Sequence, residues 1–394
     1  MSKKGKRGNG EGSIYQRKED KKWVASITLE NGKRKVFYGK TKKEVTDKLI
    51  EARHEQQQGM LVIAPTEPLK HYLERWLEDI QPTIRISSYV KYGKLLKNHI
   101  LPALGNIPLQ KLTPQRVQSF YTDRLKQGLS PKMVSSIHGV LHHALDNAVR
   151  WNLVARNVCD VVSPPRVPKK EKQVLTIQQA HILLEHVRKH RLEVILAIAL
   201  TTGMRRGEIL ALRWSDIDLA EGSIQIQRTV DYIPHYGYVE TEAKTAKGRR
   251  KIMLASFVVE MLNAHRSAQM EARLKAGEKW IEKNLVFCGL HGNFFNPGYL
   301  LRIFKKVLID VGLPHMRFHD LRHSTATILL SMNVHPKVVQ ELLGHSTIHM
   351  TMDTYSHVLP SMQKDIIDRW NDRFKEGEKP IDEFEEGDDQ NAGA

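Results

Sequence analysis

Four short segments in the second half of the chain contain side chains that can bind anions, move protons or attack an electrophile. The segments are TTGMRRGE, AKTAKGRR, RFHDLRH and LLGHSTIHMTMDTYSHV. The candidate catalytic residues in them are Arg205, Glu208, Lys244, His319, Arg322, His345 and Tyr355. Together they supply two guanidinium groups, a carboxylate, an amine, two imidazoles and a phenol.

These groups are sufficient for transesterification at a phosphodiester without a metal ion. Guanidinium groups would neutralise the non-bridging oxygens as charge grows in a pentavalent transition state. The phenol of Tyr355 would attack phosphorus, and the covalent intermediate would split one difficult step into two. A phenol has a pKa of about 10, so the attack needs a base or a strongly positive field. Lys244 could protonate the departing hydroxylate.

Each group also has a simpler interpretation. Arg205 and Glu208 would share a helix face, where an exposed pair adds only a few tenths of a kcal/mol, roughly. Lys244 could be a solvated charge on a turn, and Tyr355 a surface tyrosine on the last helix. His319 and its neighbour one turn later could suggest a metal site. No glutamate follows as in the HExxH helix, and an adjacent arginine would repel a cation, so we expect neither metal nor cofactor.

The charge of the chain favours a polyanionic partner: DNA, RNA or an acidic membrane surface. The 394 residues carry a net charge of +17, with a sequence pI of about 9.7. Residues 376–394 have a net charge of −7, which leaves +24 on the rest. The two cysteines, Cys159 and Cys288, have no metal-ligand spacing and predict no disulfide framework. Because no apolar run reaches membrane-spanning length, we expect a cytoplasmic protein.

The first sixty residues predict a small three-stranded β-sheet followed by a helix. Trp23, Ala25 and Ile27 alternate with more polar residues, and the Asn31-Gly32 pair is a strong hairpin signal. GSIYQR and RKVFYG supply the other strands, and the capping box TKKE opens the helix. This segment holds sixteen Lys or Arg against eight Asp or Glu, so we expect it to contact nucleic acid.

Four helical patterns follow a proline-containing linker at 65–68. An apolar stripe begins at Leu69, a second pattern covers Ser88 to Ile100, and Thr113-Pro114 and Ser130-Pro131 are helix starts. The last helix carries three histidines, for which we expect surface or phosphate-facing positions: His138, His142 and His143.

A larger mixed domain is predicted after the Pro- and Lys-rich linker 163–173. A capping box at Thr176 and Gln179 opens it. Helices are expected near Thr176–His190 and Glu193–Thr202, strands near Ser223–Val230, Gly237–Glu242 and Arg249–Leu254, and mostly helices thereafter. The predicted organisation is a flexible basic lead (1–10), a sheet domain (11–60), an all-α domain (66–162), the linker, a mainly helical α+β domain (174–374) and an acidic tail (375–394).

The order of these motifs resembles that of the tyrosine recombinase family, in particular the integrases of phages and integrative conjugative elements. The resemblance rests on TGMRRGE, KT in a strand turn, HDLRH, LLGH and a tyrosine ten residues after that histidine. It implies metal-free cleavage and rejoining of DNA through a 3′-phosphotyrosyl bond. It also implies that the small sheet binds arm sites, that the helical domain binds core sites, and that the last domain is catalytic.

The resemblance assigns a role to each candidate. Arg205 and Arg322 would be the arginine pair, His319 the general acid/base and His345 a second phosphate-contacting imidazole. Lys244 would be the catalytic lysine, Glu208 the acidic support and Tyr355 the nucleophile. The TG-x-R-x-x-E spacing selects Arg205 over Arg206, and the KT pair favours Lys244 over Lys247.

The partners implied are double-stranded DNA at core and arm sites, further copies of the chain in a tetramer on DNA, a DNA-bending host factor and an excisionase. Three other functions fit part of the pattern. A type IB topoisomerase would share the chemistry but need no second DNA-binding domain. A catalytically silent DNA-binding regulator would not need the complete residue set. A metal-dependent nuclease would lose activity in EDTA.

Overall fold

Alternating apolar residues near the N-terminus form the predicted three-stranded antiparallel sheet. In the computed structural model, the strands lie in the order β1 (Ser13–Gln16), β2 (Trp23–Thr28) and β3 (Arg34–Gly39). Helix α1 (Lys42–Gln57) begins at the expected capping box, where the Thr41 hydroxyl accepts from the Glu44 amide at 3.2 Å. The sheet and helix enclose a small core of Ala25, Ile27, Val45 and Leu49.

The structure describes residues 12–28, 34–57, 66–168, 173–242, 249–345 and 347–348, with 352, 367, 370, 371 and 374. The Asn31-Gly32 turn therefore lies outside the described residues, although the pairing of Thr28 with Arg34 has the register of a hairpin. The chain divides into two compact units, Met1–Lys169 and Lys170–Ala394. The finer domain limits stay a prediction.

The helical part of the first unit packs its apolar stripes into one core. Its helices are α2 (Leu69–Ile80), α3 (Ile86–Leu95), α4 (Leu101–Leu104), α5 (Pro114–Lys126) and α6 (Pro131–Arg150). Trp76, Tyr72 and Tyr121 are the largest side chains of this core. Side chains of Thr113 and Ser130 cap α5 and α6 as predicted. Each hydroxyl accepts a hydrogen bond from a backbone amide that has no partner within its helix.

The second helical pattern differs from its prediction. The predicted helix from Ser88 to Ile100 begins two residues earlier, and a π-helical turn at Leu96–Ile100 separates α3 from α4. The π turn keeps Leu96 and Ile100 buried, so a local widening of the helix aligns them with the core.

The second unit is built around a fully apolar helix. Helix α7 (Ile177–His186) begins at the predicted capping box, and α8 (Glu193–Thr202) has the predicted bounds. Residues 194–200 of α8 are all buried, so other elements cover the helix on every side. The other helices are α9 (Arg206–Leu210), α10 (Ser256–Ala276), α11 (Pro297–Asp310), α12 (Asp320–Ser331) and α13 (Pro336–Leu343).

The strand prediction for Ser223–Val230 is wrong in one respect, because this stretch breaks at Gln227 into two strands of different sheets. One antiparallel sheet has the order β4 (Ile217–Asp218), β5 (Ser223–Ile226) and β8 (Arg250–Met253). The other is a hairpin of β6 (Arg228–Ile233) and β7 (Gly237–Glu242). The mainly helical α+β architecture is confirmed. No helix among the described residues is long and apolar enough to cross a membrane.

Candidate active site

The site forms where α9, β8, α12 and α13 approach the end of α8. Helix α8 ends at Gly203, whose φ of +61° is a left-handed conformation that favours glycine. A Cβ at Gly203 would lie 2.2 Å from a methyl group of Leu343, at the end of α13. A second glycine, Gly207, brings α9 against β6, since a Cβ there would lie 2.2 Å from the Thr229 hydroxyl. The glycines of TGMRRGE therefore permit two close approaches.

Glu208 is a buried carboxylate bonded to two arginines. Its side chain is 7% exposed, so the interpretation of an exposed surface pair with Arg205 is wrong. Arg205 Nη1 donates to Glu208 Oε1 at 2.7 Å, and the Arg205 amide donates to Oε2 at 2.9 Å. Arg250 Nη2 donates to Oε2 at 3.1 Å. Burial opposes ionisation of Glu208, but Arg250 and Arg205 overcome it and lower the pKa of this carboxyl.

Arg322 is buried on the first turns of α12. Its Nη1 donates to the Gly203 carbonyl at 2.8 Å, and its Nη2 has no hydrogen-bond partner among the described residues. Burial, followed by repulsion from Arg205 and Arg250, lowers the pKa of Arg322 to about 9. The group therefore stays cationic at neutral pH. A buried guanidinium with an unused donor is placed to receive an anion.

His345 follows the end of α13, as its position after Gly344 predicts. Gly344 has a φ of +65°, and the His345 amide donates to the Gln340 carbonyl at 3.1 Å. The side chain is buried, and burial followed by repulsion from Arg322 and Arg205 lowers the pKa of His345 to about 3. The imidazole is therefore neutral at physiological pH and can donate through one ring nitrogen.

His319 is the residue immediately before α12. Its ring lies 5.5 Å, centroid to centroid, from that of His323. His319 and Arg205 line the same cavity of about 600 Å³, together with Arg206, Lys305 and Arg317. Arg206, which the motif spacing does not select, forms an ion pair with Asp231 at 3.4 Å.

The cluster carries an excess of positive charge. Arg205, Arg250 and Arg322 interact electrostatically with one another, and Glu208 neutralises one of these charges. Three buried or half-buried guanidiniums repel each other in a low dielectric, and a bound anion would relieve that repulsion. This arrangement can hold the oxygens of one phosphodiester and stabilise the additional charge of its transition state.

Two predicted catalytic residues lie outside the described residues. Lys244 belongs to the segment 243–248, and Tyr355 to 353–366. Their assignments stay predictions. In sequence, β8 begins six residues after Lys244, and His345 is ten residues before Tyr355.

Arg250 is a residue of the site that the motifs do not reveal. It was expected only as part of a strand, yet it bonds Glu208 and the Leu342 carbonyl. Strand periodicity holds a signal for it: Ile252, two residues later, is buried, so Arg250 must face the same interior. An arginine at an inward position requires an internal partner.

The three histidines of α6 are half-buried and have local partners in the protein. His142 lies 3.2 Å from an Asp146 oxygen and 2.9 Å from an Asp160 oxygen, one at each ring nitrogen. His138 bonds the Tyr121 hydroxyl, and His143 packs edge-on against a tryptophan. Because both nitrogens of His142 already face carboxylates, it acts as a bridge between α6 and the turn that holds Asp160.

Comparisons with known proteins agree with this geometry. A model described as "Phage integrase family" matches residues 172–362, and one described as "Phage integrase, N-terminal SAM-like domain" matches residues 69–124. A "Tyrosine recombinase XerC-like" protein of Caldanaerobacter subterraneus subsp. tengcongensis is 32% identical over 366 residues, covering 88% of this chain and 94% of that protein. The ICEBs1 integrase of Bacillus subtilis is 24% identical over 334 residues, covering 84% and 90%.

Two solved structures share the fold. The Tn1549 transposon integrase in complex with transposon right end DNA has a TM-score of 0.67 at 20% identity and covers 77% of this chain and 99% of that one. A lambda integrase tetramer bound to a Holliday junction has a TM-score of 0.55 at 17% identity and covers 89% and 96%. With a relative 32% identical across most of both sequences, and a family model on the segment that contains the arginine cluster, the chain belongs to the phage integrase family.

Proposed function

We propose that this protein is a site-specific DNA integrase that cleaves and rejoins double-stranded DNA through a 3′-phosphotyrosyl bond at Tyr355. Family membership supports integrase function, and the names of its relatives include tyrosine recombinases and integrases. The single observation that carries the proposal is the unused Nη2 of Arg322, buried beside two other guanidiniums. Such a group stabilises an anion that the described residues do not supply.

The proposed reaction uses the cluster to hold one phosphodiester. Arg322 and Arg205 donate to its non-bridging oxygens, while Glu208 fixes the Arg205 guanidinium. The phenol oxygen of Tyr355 forms a bond to phosphorus, and the bond from phosphorus to the 5′ oxygen breaks. His319 accepts the phenol proton, and Lys244 gives a proton to the departing 5′ oxygen. Rejoining reverses these steps with a 5′ hydroxyl of another strand.

His345 contributes a neutral donor in this scheme. Because its imidazole carries no charge before DNA binds, it can donate one N–H to the phosphate without adding to the repulsion among the arginines. Metal ions have no assigned role. The same arginine-rich pocket would leave a cation next to several positive charges.

The proposed partners follow from the charge and the family. The helical part of the first unit would bind core-site DNA and the basic sheet would bind arm-site DNA. The lambda integrase of similar fold is a tetramer on a Holliday junction, and we propose that this chain also assembles as a tetramer on DNA. A DNA-bending host factor, an excisionase and a cytoplasmic location complete the proposal.

The decisive experiment uses a suicide substrate with a nicked candidate attachment site. Wild-type protein should form a covalent DNA adduct that survives denaturation, whereas Tyr355→Phe should form none and still bind the same DNA. Peptide mapping of the adduct identifies the attacking residue. Adduct formation by Tyr355→Phe at the wild-type rate would refute the assignment of the nucleophile.

Three further outcomes separate the other functions. Loss of cleavage in excess EDTA would indicate a metal-dependent nuclease. Relaxation of supercoils without any strand exchange between two sites would indicate a topoisomerase. Sequence-specific binding without an adduct would indicate a catalytically silent regulator. We expect strand exchange that is insensitive to EDTA.

A further inference from the structure

We infer that Arg250 is a positioning residue of the reaction. It joins β8 and the end of α13 to the arginine–glutamate pair of α9. The inference rests on the proposed function and extends it, because the role of Arg250 is to fix the residues that touch DNA. The Arg250 side chain itself is only 7% exposed, so we expect it to act through Glu208 instead of touching DNA.

The contacts of Arg250 connect three elements that are distant in the sequence. Its Nη2 donates to Glu208 Oε2 at 3.1 Å and its Nη1 to Oε1 at 3.5 Å, on α9. Its Nε donates to the Leu342 carbonyl on α13 at 2.7 Å. The residue itself is the first of β8. One planar side chain therefore ties α9, β8 and α13 together.

These three elements lead to the proposed catalytic residues other than His319 and Arg322, which lie at the start of α12. Strand β8 follows the segment that contains Lys244, and α9 begins directly after Arg205. Helix α13 ends two residues before His345 and is followed by the segment that contains Tyr355. A shift at Arg250 would change the positions of Arg205 and His345 relative to the phosphate.

The Leu342 carbonyl needs the bond that Arg250 supplies. The last four carbonyls of an α-helix have no amide partner within the helix. At the end of α13, the amides of Gly344 and His345 donate to the carbonyls of Glu341 and Gln340. The Leu342 carbonyl instead accepts from a buried guanidinium, whose positive charge also favours a helix C-terminus.

Arginine is the residue type that suits this position. Its fork binds both oxygens of a carboxylate while Nε remains available for a third acceptor. A lysine has one nitrogen on a flexible stem, so it could reach Glu208 or the Leu342 carbonyl but could not hold both in one geometry. We therefore expect Arg250→Lys to preserve the charge and lose most of the positioning.

The test compares full-length variants under single-turnover conditions on the suicide substrate. Arg250→Met should lower the rate of adduct formation at saturating DNA by about 10- to 100-fold, as misplacement of catalytic groups does. The Kd for the same DNA should change by less than about twofold, since the Arg250 side chain is buried. Arg250→Lys should give an intermediate rate.

Two matched variants separate positioning from loss of stability. Arg228→Met removes a guanidinium that is 18% exposed and pairs with Asp216 at 2.6 Å instead of with Glu208. Lys251→Met changes the next residue of β8, whose amine pairs with Glu221. At a temperature where all variants are folded, both should form the adduct at the wild-type rate. This should hold for Arg228→Met even if that substitution lowers Tm as much as Arg250→Met does.

The pH dependence of the rate of adduct formation separates a positioning residue from one that only stabilises the fold. Arg250 and Arg205 lower the pKa of Glu208 against the effect of burial, so removing Arg250 should raise that pKa. The acid side of the rate profile should then shift to higher pH in Arg250→Met. In Glu208→Gln no such shift should occur on adding Arg250→Met, because the titrating carboxyl is absent.

Rates within about twofold of wild type for both Arg250 variants would overturn the inference. A loss of rate that Arg228→Met matches at equal Tm would also overturn it. These results are distinct from failure of the proposed function, which would show as absence of any adduct with the wild-type protein. A wild-type adduct together with unchanged Arg250 variants refutes the role of Arg250 alone.

Discussion

At the scale of single residues, the candidate site places more positive charge in the interior than its carboxylate can neutralise. Burying an ion costs several kcal/mol, roughly, unless it is paired and hydrogen-bonded. Glu208 meets that condition with two arginines, while Arg322 keeps one nitrogen without a partner in the described part of the chain. Part of this desolvation cost therefore remains uncompensated until an anion binds. Such an arrangement suits a site that must stabilise charge in a transition state.

His345 should make the protein sensitive to acid. Its pKa falls to about 3 in the folded state, mainly through burial, whereas an unfolded histidine has a pKa of about 6.5. Between these values the unfolded chain binds more protons than the folded one. The free energy of unfolding should therefore decrease as pH falls below about 6.5, by up to about 1.4 kcal/mol per pH unit.

Calorimetric unfolding of wild type and His345→Gln from pH 7.5 to 4.5 measures this effect. The His345→Gln protein should lose less stability over that range than wild type does. His291→Gln, which changes an exposed histidine of the same unit, is the control and should follow the wild-type curve. Parallel curves for wild type and His345→Gln would contradict the prediction. Below about pH 4.5, protonation of Glu208 should add a further loss in wild type.

At the scale of elements, the junction of α12 and α13 with the end of α8 decides where Arg322 lies. Gly203 ends α8 in a left-handed conformation, and its carbonyl accepts from Arg322 at 2.8 Å. Thr325, one turn further along α12, donates its hydroxyl to carbonyls near the end of α8, including that of Leu200 at 2.9 Å. Helix α12 is thus held to the end of α8 by its polar side chains as well as by packing.

Gly203→Ala should disrupt this junction. The φ of +61° costs a residue with a Cβ about 1–2 kcal/mol, and the 2.2 Å approach to Leu343 adds overpacking of about 1–3 kcal/mol. We expect a total loss of about 2–5 kcal/mol in the free energy of unfolding. The rate of adduct formation should also fall, because the acceptor of Arg322 moves.

Gly312→Ala is a matched control for that substitution. Gly312 has a φ of +67°, and a Cβ there would meet no atom within 4 Å among the described residues. It should therefore cost only the backbone strain, about 1–2 kcal/mol, without affecting the reaction. Equal losses of stability in the two variants would show that the contact with Leu343 carries no penalty.

At the scale of the whole molecule, the basic charge is spread over parts with separate cores. The N-terminal sheet and α1 enclose their own small cluster, and the helices α2 to α6 enclose another. On the sheet face opposite α1, Tyr15 and Tyr38 are about half exposed. Exposed aromatic residues beside lysines and arginines suit contact with nucleic acid.

Deletion of residues 1–64 should therefore leave cleavage at an isolated core site intact. Integration between two attachment sites should fall by more than about 100-fold, because a second tethered DNA contact raises the effective concentration of one site at the other. Binding of the full chain should also weaken more steeply with salt than binding of the truncated chain, since fewer phosphates are neutralised after the deletion. Full integration by the truncated protein would refute the two-site proposal.

Local sequence patterns determined most of the elements of this fold. Alternation marked β2, proline after Thr113 and Ser130 marked the starts of α5 and α6, and the capping box at Thr176 marked α7. These signals work because each depends on hydrogen bonds or side-chain directions within a few residues. The break at Gln227 was not predicted because local signals do not show which strands pair. The two halves of that run pair with different strands, β8 and β7.

The sequence by itself also determined which residue types could act at a phosphate and in what order they occur. Only the tertiary structure decided that Glu208 is buried, that Arg322 keeps an unused nitrogen and that His345 is neutral. It also decided the role of Arg250, whose partners lie 42 and 92 residues away in the chain. Burial and charge repulsion depend on distances in space, and packing of α8 against α12 and α13 sets those distances.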